Sequence, residues 1–152
     1  MIKNFFPNKT ALYALVAACF VVCTTMGVRQ TFGLYSSEFE TTAGTSNTEF
    51  GLAIAVHAIF WGIFTPVFGR ISDRLGGYVV IVPALIFYSI AMLLMGNNYV
   101  SGMWLQINLG LFVGLGLAGA AGTILTPMIS KHFPNENWSK AAGLVTACGG
   151  LV

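Results

Sequence analysis

Charge is what this sequence lacks. Asp, Glu, Lys and Arg make up 8% of its 152 residues, against about a quarter in an ordinary soluble domain. A chain of this length folded in water exposes more surface than seven basic and five acidic side chains can keep solvated. The scarcity excludes a soluble globular domain. The net charge of +2 excludes the basic footprint of a nucleic-acid-binding protein. Cysteine is scarce as well: Cys19, Cys23 and Cys148, an odd number, each inside an apolar stretch. Cys19 and Cys23 stand four apart on one helical face, a spacing open to a metal pair. No His or carboxylate lies beside them to complete a ligand set, and the alternative is packing as small polarizable residues among helices. The sequence shows no nucleophile–base pattern, no phosphate-binding loop and no metal-ligand spacing, so neither an enzyme nor a cofactor is expected. Gly114-x-Gly116-x-x-Gly119 has the letters of a dinucleotide fingerprint, but it lies within an apolar run with no strand before it.

What is present is hydrophobicity, 56% of the residues, gathered into runs of about the 20 residues that cross a hydrocarbon core. The runs predict transmembrane helices at 11–35, 49–68, 78–95 and 103–128, and the start of a fifth at 141–152. Residues 1–152 thus read as an all-α membrane protein, a multi-span helical bundle with four full spans plus part of a fifth. The first run exceeds the 7–15 residues of a signal-peptide core, and no small-x-small cleavage site follows it. Twelve residues of the fifth run reach about 18 Å, short of a core of about 30 Å. The expectation is a chain that ends inside a helix and forms part of a longer protein.

The links between the runs carry the polar residues. Residues 36–47 hold Ser, Thr, Gly, Glu38 and Glu40 and read as a loop, with Ser46 or Asn47 capping the next helix and Glu49 in its first turn. Gly96-Asn97-Asn98 ends the third run. Small residues recur at helical spacing in the second span (Gly51, Ala55, Ala58, Gly62) and in the fourth (Gly110, Gly114, Ala118, Gly122, with Gly116 and Gly119 beside them). Both stripes predict close helix–helix seams. Lys3, Lys9, Arg70, Arg74, Lys131 and Lys140 fall on one side of four alternating spans, and Glu38 and Glu40 on the other. The positive-inside rule then puts the N-terminus in the cytoplasm of an inner (plasma) membrane, multi-pass.

Between the second and third runs lies Gly69-Arg70-Ile71-Ser72-Asp73-Arg74-Leu75-Gly76-Gly77, a charged turn too polar to sit in lipid. It resembles the signature loop of the major facilitator superfamily, Gly-x-x-x-Asp-Arg/Lys-x-Gly, at Gly69, Asp73, Arg74 and Gly76. It departs after Gly76, where the family often has basic residues and this chain has Tyr78 and Val79. The resemblance implies the N-terminal part of a twelve-helix secondary transporter built from inverted three-helix repeats. It also implies alternating access around a small-molecule substrate held near the midplane, possible coupling to an ion such as H+, and a gating role for the loop. The residues allow simpler roles: Asp73 as a cap for the third helix, Arg74 as a partner for lipid phosphate.

Apart from Glu49 at the first position of the second span, Arg29 is the one Lys, Arg, Asp or Glu inside a predicted span. A guanidinium in lipid is costly, so it either faces a protein interior or watery cavity, or the helix ends at Val28 and Arg29 snorkels to the outer surface. Gly27-Val28-Arg29-Gln30-Thr31-Phe32-Gly33-Leu34 is similar to the first helix of the superfamily's monocarboxylate and oxalate/formate-type branch. That resemblance implies a substrate-binding Arg29 and transport of a small organic anion, carboxylate-like. His57 is read either as a proton-coupling group or as a neutral histidine hydrogen-bonded between helices. Gln106 and Asn108 either line a cavity or bond between helices. Drug/proton antiporters of the superfamily usually carry an arginine in the fourth helix, and this chain has none there. Drug or multi-substrate efflux is the alternative within transport. A small membrane protein that binds a partner without transporting is the alternative outside it.

Overall fold

A computed structural model describes residues 8–97 and 102–150. Lys3, Asn98, Leu151 and Val152, used in the sequence reading, lie outside the described residues. The chain is all-helical there: α1 (Lys9–Ala43), α2 (Asn47–Leu75), α3 (Tyr78–Gly96), α4 (Gly102–Leu105), a π-helical segment (Gln106–Phe112), α5 (Val113–Gly119), α6 (Gly122–Ser130) and α7 (Asn135–Gly150). Four stretches are long and apolar enough to span a bilayer: α1, α2, α3 and the composite Gly102–Ser130. The all-α multi-span bundle expected from the hydropathy runs is therefore the observed architecture.

Two boundaries differ from the sequence reading, for related reasons. Residues 36–43 are helix, not loop, and α1 reaches 35 residues, about 52 Å at 1.5 Å per residue. Glu38, Glu40 and Ala43 are good helix formers, and no Gly or Pro breaks the helix before Gly44. That glycine takes φ 66, and the Thr45 N–H reaches back to the Phe39 carbonyl at 3.2 Å, a glycine-terminated helix end. The second span likewise does not stop at Phe68. It runs on to Leu75, so most of the charged turn is the last two turns of α2. The break waits for Gly76, whose φ of 94 is a conformation that a residue with a Cβ rarely adopts.

Other expectations hold closely. Ser46 caps α2 through a reciprocal box: Glu49 N–H donates to Ser46 Oγ at 3.2 Å, and Ser46 N–H donates to a Glu49 carboxylate oxygen at 2.9 Å. The third span matches 78–95 to within a residue. The fourth covers 103–128 but is not one regular helix, and the fifth starts at Asn135 rather than at 141.

Backbone proximity divides the chain into two compact units, residues 1–30 with 120–152, and residues 31–119. In the second unit α2 and α3 both pack on the π-helical segment and α5. Leu105, Leu109, Val113 and Leu117 are fully buried there, with Ala53, Ala84, Tyr88 and Ala91 facing them from the core. In the first unit α6 packs on α7, and Leu15, Ala18, Val22, Ile124 and Val145 form the apolar interior. Gly149 of α7 approaches Val22 and Met26, and Gln30 Nε2 donates to the Gly149 carbonyl at 3.2 Å. All three cysteines are free thiols, each partly buried, and among the described residues no group of three or more potential ligands could hold a metal ion.

Candidate functional site

In the second unit, His57 and Gln106 lie along the seam between α2 and the fourth span. The seam is narrow because the fourth span presents glycine. A Cβ at Gly110 would lie 2.7 Å from a Val56 methyl, and one at Gly114 would lie 2.9 Å from Phe60 Cβ and 3.0 Å from the His57 carbonyl. On the opposite side, Gly116 and Gly119 meet Tyr88, Ala84 and Val80 of α3. Gly122, counted in the predicted stripe, faces open space.

Into this seam the chain places two of its candidate residues, Gln106 and His57. The Gln106 amide Nε2 donates to the Glu49 backbone carbonyl at 3.0 Å, tying the π-helical segment to the first turn of α2. Gln106 therefore bonds between helices, one of its two predicted roles. Asn108 is 0% exposed and His57 1%. The His57 ring lies 6.1 Å from Trp61, at the head of an aromatic row in which Phe60, Phe64 and Phe68 follow at 5.8 and 5.7 Å. Counting along α2, His57 is seven residues from Phe50 and twelve from Gly69, about 10 and 18 Å along the axis. It is the deepest imidazole of the span.

Two backbone irregularities were not legible in the sequence. Residues Gln106–Phe112 form a π-helix, closed by the Val113 N–H bonding the Asn108 carbonyl. Such segments are rare and concentrate at functional sites. The fourth span is also interrupted after Gly119. Ala121 is extended (φ −62, ψ 145), and α6 restarts at Gly122 with no side-chain cap. Gly122 lies nine residues before Lys131, about 14 Å along the axis, roughly half a hydrocarbon core. Non-helical backbone at that depth persists only where protein or a watery cavity surrounds it, and Ala120 and Ala121 are buried. The dense glycines of 110–122 were the available signal, and they announced close packing without announcing a break.

Arg29 belongs to the other unit. It is half-buried inside α1, which continues 14 residues beyond it, so the helix does not end at Val28. The midpoint of Lys9–Ala43 is Met26, so Arg29 stands three residues, about 5 Å along the axis, past the centre of α1.

The signature residues lie at the other end of α2. Gly69, Asp73 and Arg74 are helical, and Gly76 makes the turn, its N–H bonded to the Ser72 carbonyl at 2.9 Å. Helix α3 begins at Tyr78 after Gly77, with no side-chain cap, so Asp73 does not cap it. Asp73 and Arg74 are exposed.

The sequence profile of the Major Facilitator Superfamily matches residues 14–152. Among characterised relatives, the chain is 28% identical over 149 residues to the "Tetracycline resistance protein, class E" of Escherichia coli, covering 95% of this chain and 35% of that protein. It is 26% identical to the class H protein of Pasteurella multocida and 28% identical to the class C protein of Escherichia coli, each match covering 68% of this chain and 25% of the relative. The chain thus spans a quarter to about a third of the length of these relatives. No solved structure matches it. A helix-breaking Gly76 after Asp73 and Arg74, four apolar spans and a profile match over nearly the whole length converge on one conclusion: the chain is an integral, multi-pass membrane protein and belongs to the Major Facilitator Superfamily.

Proposed function

We propose that this chain forms the N-terminal part of a secondary active transporter that expels an amphipathic, drug-like organic molecule by alternating access. The observation that carries this reading is the similarity along 95% of the chain to a protein named for tetracycline resistance. Organic-anion transport is the second reading, favoured by the Gly-Val-Arg-Gln-Thr-Phe-Gly context of Arg29.

In the first reading His57, mid-span and buried, serves ion coupling, with H+ as the coupling ion. Gln106 holds the seam beside it, and Asn108 is buried within the fourth span. Gly69, Asp73, Arg74 and Gly76 serve the gate at the cytoplasmic end. The basic residues on one side of the spans support a cytoplasmic N-terminus in the plasma (inner) membrane. Gradients drive the cycle, and no enzymatic step or cofactor takes part.

The test expresses the complete transporter in a bacterial strain stripped of its own efflux pumps and measures drug accumulation. Accumulation should fall several-fold, and Arg29→Ala should leave that fall intact. Loss of transport in Arg29→Ala, together with uptake of a labelled carboxylate by the unaltered protein, would reverse the order of the two readings.

A further inference from the structure

We propose that Cys19 and Cys148 bind a soft monovalent metal ion, copper(I) or silver(I), between α1 and α7. The two helices meet where α7 presents glycine. A Cβ at Gly149 would lie 3.0 Å from a Val22 methyl and 3.6 Å from Met26 Cγ, and Gln30 Nε2 donates to the Gly149 carbonyl at 3.2 Å. Cys148 directly precedes that glycine. Cys19 and Cys23 stand three residues before Val22 and one after it, on the same side of α1. The Cys19 and Cys148 thiols hydrogen-bond with each other across this seam. The spacing of Cys19 and Cys23 left a metal pair open within one helix; the fold brings Cys19 a thiol from another helix.

The donor set selects the ion. Thiol and thioether sulfur favour copper(I) over the ions that carboxylate and carbonyl oxygen suit, and silver(I) shares that preference. Met26 brings a thioether to the same seam, and Cys23 a further thiol one turn from Cys19. Zinc asks for about four ligands in a structural site, and among the described residues no group of three or more His, Cys, Asp or Glu could hold a metal ion. A two-coordinate soft ion asks for two sulfurs. With metal–thiolate bonds of about 2.3 Å, it can bridge two hydrogen-bonded thiols with little movement of either helix. Charge decides the valence. Arg29 stands six residues past Cys23, and Lys140 eight before Cys148, about 9 and 12 Å along the helix axes, so the seam itself carries no charge. An ion of charge +1 that displaces one thiol proton to water leaves a neutral site: one thiolate, one thiol and the metal. A site with net charge is costly within a membrane span. The inference needs only the meeting of α1 and α7, whatever molecule the protein transports.

The test purifies the complete transporter in detergent micelles, with its thiols reduced and in chloride-free buffer, and adds silver nitrate or zinc acetate. Native mass spectrometry counts the bound ions. Peptide mass spectrometry reads which cysteines the ion shields from alkylation by N-ethylmaleimide. Silver should shield Cys19 and Cys148 together, and zinc should shield neither. C19S or C148S should weaken the binding of a silver ion about a hundredfold or more, because a lost ligand costs at least as much as the roughly 10–100-fold of a lost outer-shell partner. C23S and M26L should cost about tenfold or less. Shielding is read on the unaltered protein, so it decides the matter even for a serine variant that folds poorly. Equal shielding by zinc, undiminished silver binding in C19S with C148S, shielding of Cys23 without Cys148, or alkylation of Cys19 and Cys148 at one rate with and without silver would each overturn the proposal.

Discussion

The fourth span and helix α2 carry the same kind of small-residue stripe, yet the two stripes meet opposite fates. Gly110, Gly114, Gly116 and Gly119 lie against side chains and carbonyls of α2 and α3, at distances that leave no room for a Cβ. Gly51 and Gly62 have nothing within 4 Å, and Ala55 and Ala58 beside them are exposed as well. The second-span stripe, expected to form a seam, forms none among the described residues. Small residues at four-residue spacing give a helix the capacity for close approach; the partner is decided by knobs on the facing helix. Val56, Phe60 and Tyr88 supply those knobs to the fourth span.

Substitutions sharpen this contrast. The largest effect belongs to Gly119→Val, whose Cβ would collide with the Ala84 methyl and press on Val80. Overpacking of this kind costs about 3 kcal/mol, read as a large drop in the melting temperature and yield of the detergent-purified protein. Gly76→Ala comes next. Gly76 has open space around it but sits at φ 94, so the backbone and not a neighbour opposes the methyl, at a cost of about 1–2 kcal/mol. Gly62→Ala is the smallest and has the opposite sign. With open space and ordinary helical backbone, the substitution should stabilise α2 by about 0.5–1 kcal/mol, a small rise in melting temperature. A large loss in Gly62→Ala would show that this face is occupied in the complete protein.

The sequence made the spans readable because hydropathy is a property of whole runs, and the α2 cap because a capping box needs only Ser46 and Glu49. The helix ends were harder. At 36–43 and 69–75 polarity suggested loop, but polarity reports contact with water and not backbone conformation; the helices stopped where Gly44 and Gly76 took positive φ. Of the candidate site, the burial of His57 and Asn108 and the Gln106–Glu49 bond were open as alternatives, since either a cavity or a seam suits amides and imidazole. The π-helical segment and the interruption at Ala121 left no mark in residue type. Alanine is the best helix former, so an extended Ala121 has to come from tertiary packing.

Reconstitution reads gradient-driven transport without a cell's other pumps. The complete transporter in sealed vesicles, given an imposed proton gradient and no nucleotide, should move a tetracycline-like compound against its concentration gradient. An uncoupler should stop the movement, and Arg29→Ala should sustain it. Absence of gradient-driven movement of such compounds, with gradient-driven movement of a small carboxylate that Arg29→Ala abolishes, would contradict the account.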